Sequence, residues 1–161
     1  MNVKQVRAFL SLGNFYRCFI MDYAIVSHPM VDLTCKDIVF NFGGKEKALF
    51  EALKAAFTTA PVLQYPSQDR KFHLETDVSE FTIGGVISIK CNDSEFRPVT
   101  YMSHSMTPPK RNYPIHDKEM LAIIKATEAW HYYLEATPYA FEIHTDHNNL
   151  LYFTKSQNLS K

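Results

Sequence analysis

One stretch of about thirty residues constrains the fold more than any other part of this chain. Lys71–Asp77 alternates strictly, with Phe72, Leu74 and Thr76 facing one way and His73, Glu75 and Asp77 the other. A period of two is the mark of a half-buried strand. Thr82–Lys90 reads as a second strand with Gly84-Gly85 inside it, and Arg97–Ser103 as a third. Asn92-Asp93-Ser94 supplies the turn between them, and Pro108-Pro109 ends the meander. A helix follows over 116–134, with Met120, Ile123, Ile124, Thr127, Trp130 and Leu134 along one stripe. Phe141–Asp146 then reads as a short strand and Asn148–Phe153 as the start of another helix. The order is strands, helix, strand, helix, which is an α/β (α+β) arrangement.

What precedes this is helical. Val6, Phe9, Leu10, Phe15, Phe19 and Ile20 recur near helical spacing, with a break expected at Gly13-Asn14. A second helix is expected over Tyr23–Leu33, where Pro29 interrupts the pattern. Lys45–Phe57 is amphipathic, with Leu49, Phe50, Leu53 and Phe57 on one face. Gly43-Gly44-Lys45 lacks the spacing of a phosphate-binding loop and is read as a plain helix start. The expected division is a helical segment over 1–66 and a second unit over 71–161.

Composition excludes several classes. With 161 residues, 46% hydrophobic and 14% aromatic, the chain can bury a core. Seventeen basic residues against seventeen acidic ones exclude a nucleic-acid glove held by bulk charge, though not a local basic groove. Cys18, Cys35 and Cys91 are odd in number and form no Cys-x-x-Cys, so no disulfide framework or zinc motif is signalled. No apolar run approaches the roughly 20 residues of a membrane span, and the first ten residues lack a signal peptide's apolar core. The expectation is an intracellular protein, in the cytoplasm, the nucleus or virus-like particles, with no membrane partner.

Three carboxylates look wrong for a core. Asp77 and Asp146 each end an apolar strand, and Glu119 shares an inward helical line with Ile123, Ala126 and Trp130. Converging carboxylates repel one another unless a cation neutralises them. Oxygen-only donors suit Mg²⁺ or Mn²⁺, and paired ions of that kind serve phosphodiester cleavage. Each acid also has an ordinary explanation. Asp77 suits a turn before Ser79, Asp146 could cap the following helix, and Glu119 near a helix N-terminus is favoured by the dipole. Spacing leaves both readings open. His144 and His147 bracket Asp146, and His73 shares a face with Asp77. His-x-x-His across a strand end splays the two rings, so the pattern does not read as a zinc site.

The segments Val6–Ile20, Ala48–Leu63 (ending Thr59-Ala60-Pro61-Val62-Leu63), Leu74-Glu75-Thr76-Asp77-Val78-Ser79, Pro98–Ser103, Asn112–Ile123 and Thr145-Asp146-His147 occur in a telling order. In that order the chain resembles the thumb, linker and RNase H region of the Pol polyprotein of Ty3/gypsy-type LTR retrotransposons. The resemblance runs nearly end to end. It implies an RNase H-like mixed sheet with helices. It implies hydrolysis of the RNA strand of RNA–DNA hybrids with two divalent ions, Mg²⁺ or Mn²⁺. Carried over by position, Asp77, Glu119 and Asp146 would be the catalytic metal ligands, and Ser79 and Asn112 substrate contacts.

The departures from the family also carry expectations. No Asp-Asp occurs anywhere, so the chain holds no polymerase site. The family pattern continues past the segment matched by Asp146-His147, through a further strand, a helix and a fourth Asp. The expectation is therefore a C-terminally truncated RNase H unit, weakly active or inactive alone. The alternative is a domesticated, catalytically dead binding or interaction module. Without a fifth strand, Phe141–Asp146 would be an open edge, and Trp130, Tyr133 and Leu134 would lose part of their cover. Self-association or a partner's strand through 141–153 is expected, unless helices 1–35 fold back over the gap.

Overall fold

The computed structural model describes residues 1–59 and 63–145. The alternating run becomes β1 (Phe72–Val78), followed by β2 (Thr82–Lys90) and β3 (Phe96–Ser105). β1 and β2 pair antiparallel from Phe72↔Ile89 to Val78↔Ile83. β2 and β3 pair antiparallel with a register shift at Ile87/Ser88. The turn between them places Ser94 at a positive φ of 67°, and Cys91 N donates to Glu95 O at 2.8 Å. After the short α4 (Pro108–Arg111), helix α5 (Ile115–Glu135) returns the chain to the far side of the sheet. There β4 (Glu142–His144) lies parallel to β1, with His73↔Glu142, Leu74↔Ile143 and Glu75↔His144 in register. The order β3-β2-β1-β4 makes a mixed sheet, as the RNase H-like expectation requires.

The main core lies between one sheet face and α5. Phe72, Leu74, Ile87, Ile89 and Val99 pack against Ala126 and Trp130. The deepest line of the helix is Glu119, Ala122, Ala126 and Trp130, so Glu119, Ala126 and Trp130 lie inward as read, whereas Met120, Ile123, Ile124, Thr127 and Leu134 of the hydrophobic stripe lie beside that line. Small Ala122 and Ala126 let the helix backbone approach the sheet, so the larger residues flank the contact and Ile124 is exposed. Trp130 is only 3% exposed, and Tyr133 and Leu134 pack against the same cluster. Trp130 is thus covered, while Tyr133 and Leu134 are only partly buried.

The N-terminal helices form a second body against β3. Helix α1 (Val3–Tyr16) opens with a reciprocal cap, Gln5 N donating to Asn2 Oδ1 and Asn2 N to Gln5 Oε1, each at 2.9 Å. The break expected at Gly13-Asn14 does not occur. Gly13 serves close packing instead, since a Cβ there would lie 2.4 Å from the hydroxyl of Tyr23, which donates to Leu10 O at 3.2 Å. A 3-10 turn (Arg17–Phe19) leads to α2 (Tyr23–Asp32), which continues through Pro29. Helix α3 (Gly44–Thr59) begins with Gly43 N donating to the Glu46 carboxylate at 3.0 Å, an ordinary helix start. Val6, Leu10 and Met30 form one small core, and Ile20, Tyr23 and Leu53 another.

Hydrogen bonds fasten this body to β3, Thr100 Oγ1 to Cys18 O at 3.3 Å and Ala24 N to Ser103 Oγ at 2.9 Å, and beyond α3 Gln64 N donates to Pro98 O at 2.7 Å. The N-terminal helices thus guard the β3 edge and do not fold back over β4. The helix read over Asn148–Phe153 lies outside the described residues. Among those described, no helix is long and apolar enough to cross a membrane.

Candidate active site

Asp77 and Thr145 border one open hollow of about 430 Å³, together with Met21, Asp22, Glu75 and His144. Asp77 stands near the end of β1 on the face away from α5. Its Oδ1 accepts from Val78 N at 2.8 Å, and the residue is exposed. The argument that burial forbids a carboxylate there is thus overturned for Asp77, because the strand end opens to solvent. It holds for Glu119, which is 3% exposed. Glu119 lies just past the first turn of α5, on the line that Ala122 and Ala126 bring against the sheet. Thr145 Oγ1 donates to Glu119 Oε2 at 3.4 Å. The end of β4 therefore meets the start of α5, and Thr145 joins the buried carboxylate to the hollow that holds Asp77. Asp146 lies outside the described residues.

Neither expected substrate contact lines the hollow. Ser79 is engaged in the β1–β2 turn, where its Oγ accepts from Thr82 N at 3.1 Å and lies 2.6 Å from Thr82 Oγ1. Asn112 is the exposed residue closing α4, its N–H donating to Pro109 O at 3.3 Å.

The sequence reading missed Asp22. It sits between the 3-10 turn and α2 at φ 54°, a left-handed position that Asp tolerates better than most residues. Its carbonyl accepts from Ile25 N and Val26 N at 2.9 and 3.2 Å, while its side chain makes no cap. The carboxylate instead lies over Gly84, where a Cβ would stand 2.9 Å from Oδ1. Burial, and next the charge of Asp77, push the Asp22 pKa upward. No local pattern announces this residue, because only the docking of the helical body on β3 brings it to the hollow.

A second groove, about 470 Å³, runs between β3 and α5 and is lined by Arg17, His104 and Lys125 among others. Burial first, then the charges of Lys125, Lys110 and Arg17, hold the His104 pKa below its usual value. The surroundings of His104 are thus basic although the whole chain is neutral.

A three-strand antiparallel meander, a helix bearing a buried Glu and a parallel fourth strand together define an RNase H-like domain. The family model for the RNase H-like domain found in reverse transcriptase matches residues 42–143, and the chain belongs to that family. It is 39% identical over 150 residues to the Transposon Tf2-3 and Tf2-4 polyproteins of Schizosaccharomyces pombe (strain 972 / ATCC 24843), a match covering 93% of this chain. The chain spans 11% of the length of those polyproteins. Its fold matches the foamy viral protease-reverse transcriptase dRH in complex with double-stranded DNA, at a TM-score of 0.76 and 18% identity. That match covers 96% of this chain and 27% of the viral one. The same viral protein in complex with an RNA/DNA hybrid gives a TM-score of 0.73 at 19% identity, covering 96% and 21%. The chain thus carries an RNase H-like domain of the kind found in reverse transcriptase.

Proposed function

We propose that this chain supplies the RNase H site of a retrotransposon reverse transcriptase, and that its parent hydrolyses the RNA strand of RNA–DNA hybrids. Residues 1–66 correspond in this reading to the thumb and linker, and 71–161 to the RNase H unit. One observation carries the reading: a nearly fully buried Glu119 tied through Thr145 to the hollow that Asp77 borders. Burying a carboxylate costs several kcal/mol, so its placement there is better explained by chemistry than by packing.

The donors fit a hard divalent cation. Asp77 and Glu119 offer only oxygen, and Asp22, whose pKa is raised by burial first and by the charge of Asp77 second, stands beside them. Asp77, Glu119 and Asp146 would hold Mg²⁺ or Mn²⁺. When bound, such ions activate water and offset charge on the scissile phosphate. Thr145 orients the Glu119 carboxylate from its Oε2 side. Asp22 adds negative charge at the rim. Arg17 and Lys110 add positive charge on the β3–α5 side, where Lys125 is paired with Glu128, and would attract the phosphate backbone of a duplex. In the same reading the outer edge of β4, with Phe141 and Ile143 exposed beside it, is where another strand, from a second copy or a partner, would add.

The test is cleavage of an RNA–DNA hybrid labelled on its RNA strand by a reverse transcriptase polyprotein carrying this segment. Mn²⁺-dependent RNA cleavage that disappears in Asp77→Asn and Glu119→Gln, with hybrid binding retained, is expected. Undiminished cleavage in both variants would overturn the proposal.

A further inference from the structure

The parallel pairing of β4 with β1 assembles a group that no stretch of sequence contains. His73, Glu142 and His144 stand together on the sheet face away from α5, with one ligand atom from each lying within 4.8 Å of the others. His73 Nδ1 is 3.1 Å from Glu142 Oε2, and His144 Nε2 is 3.7 Å from the same oxygen. We propose that these three side chains form a Zn²⁺ site that shares no ligand with the carboxylate site at Asp77 and Glu119, although His144 also borders the hollow there.

The decisive feature is His73. The residue is 7% exposed, and its Nδ1 is one of two buried side-chain polar atoms without a hydrogen bond among the described residues. Nδ1 nevertheless lies within hydrogen-bonding distance of Glu142 Oε2, so the contact fails on direction and not on length. Two donor atoms held at this range with no hydrogen bond between them have the spacing of two ligands of one ion. In a tetrahedral zinc site, bonds of about 2.0–2.2 Å put neighbouring donor atoms roughly 3.3 Å apart. The two separations measured to Oε2 lie on either side of that value. Thr76 Oγ1, the other unpaired atom, belongs to the opposite strand face and has no such company.

The surroundings hold the donors in place. The edge of Phe96 meets the His73 ring at a centroid distance of 4.6 Å, and the His144 ring stacks at 5.8 Å. The Lys71 ammonium binds Glu142 Oε1, leaving Oε2 turned toward both imidazoles. A ligating carboxylate fixed from its second oxygen is the usual outer support of a metal site. Two imidazoles and one carboxylate suit zinc with a water in the fourth position, and do not suit Mg²⁺, which takes oxygen. An ion there would clamp three-residue β4 to β1, just before Thr145 meets Glu119.

The test is a Zn²⁺ titration of the full chain against a chromophoric chelator, repeated in excess Mg²⁺, with thermal melts alongside. One equivalent bound in the presence of Mg²⁺, a rise in Tm, and at least tenfold weaker binding in His144→Ala and in Glu142→Gln are expected. Both substitutions are at exposed positions, so melts of the metal-free variants will separate lost binding from lost folding. His73→Gln completes the set. Binding unchanged in His144→Ala and Glu142→Gln, or abolished only by Asp77→Asn, would overturn the assignment.

Discussion

Glu119→Gln separates a residue kept for chemistry from one kept for stability. The amide has the same shape, keeps an acceptor oxygen for Thr145 and carries no charge. The native carboxylate is 3% exposed, and its bond from Thr145 Oγ1 is long at 3.4 Å. The effective penalty for burying an ion is several kcal/mol, and pairing inside a protein often leaves part of it uncompensated. In EDTA the variant should therefore be more stable, by about 1–2 kcal/mol once the amide's own desolvation is counted. For a chain of this size that is a Tm increase of roughly 2–8 °C. Saturating Mn²⁺ should reverse the order. At a hundredfold excess over Kd a bound ligand adds about 2.7 kcal/mol to the native state, and the variant gains much less. The assay is a pair of thermal melts, with EDTA and with Mn²⁺. A variant less stable than wild type in EDTA, or raised equally by Mn²⁺, would refute the reasoning and make Glu119 a structural anchor.

Three other outcomes follow from particular contacts. Gly13→Ala drives a methyl into the Tyr23 hydroxyl, 2.4 Å from the new Cβ, and should destabilise the helical body by about 1–3 kcal/mol in urea melts. Burial holds the pKa of His73 below its ordinary value, and burial with nearby cations does the same for His104. The unfolded chain then binds more protons than the native one just below pH 6.5, so stability in EDTA should be full above about pH 6.5 and fall as acid takes the pH through the lower native values; a flat profile between pH 7 and 5 would contradict this. Ile143, 38% exposed beside the outer β4 edge, should support concentration-dependent association that Ile143→Lys suppresses; sedimentation showing a monomer at high concentration, unchanged by the substitution, would exclude edge pairing.

Local signals in the sequence were reliable where the physics is local. The bounds of β2 matched, because turn residues flank an apolar run on both sides, and β1 kept the facing read from its alternation. Two readings went astray. Gly13, taken for a helix break, admits the Tyr23 side chain, and the stripe read through Met120 and Ile124 lies beside the buried line of Glu119, Ala122, Ala126 and Trp130, of which Glu119, Ala126 and Trp130 were read as inward. What depends on assembly was illegible. The parallel register of β4 on β1 brings Glu142 to His73, and the docking of the helical body brings Asp22 to Asp77. Neither contact leaves a trace in spacing. Glu119 could be found because its charge breaks an apolar helical line, whereas Asp77 matched a motif although its expected burial was mistaken.

The most direct test of the central claim is a Mn²⁺ titration, read from the paramagnetic resonance signal of the free ion, on wild type, Asp77→Asn, Glu119→Gln and Glu142→Gln. The account predicts that Asp77→Asn and Glu119→Gln each weaken binding at least tenfold while Glu142→Gln, which does not line the hollow, leaves it unchanged. Superimposable isotherms for wild type, Asp77→Asn and Glu119→Gln would contradict it.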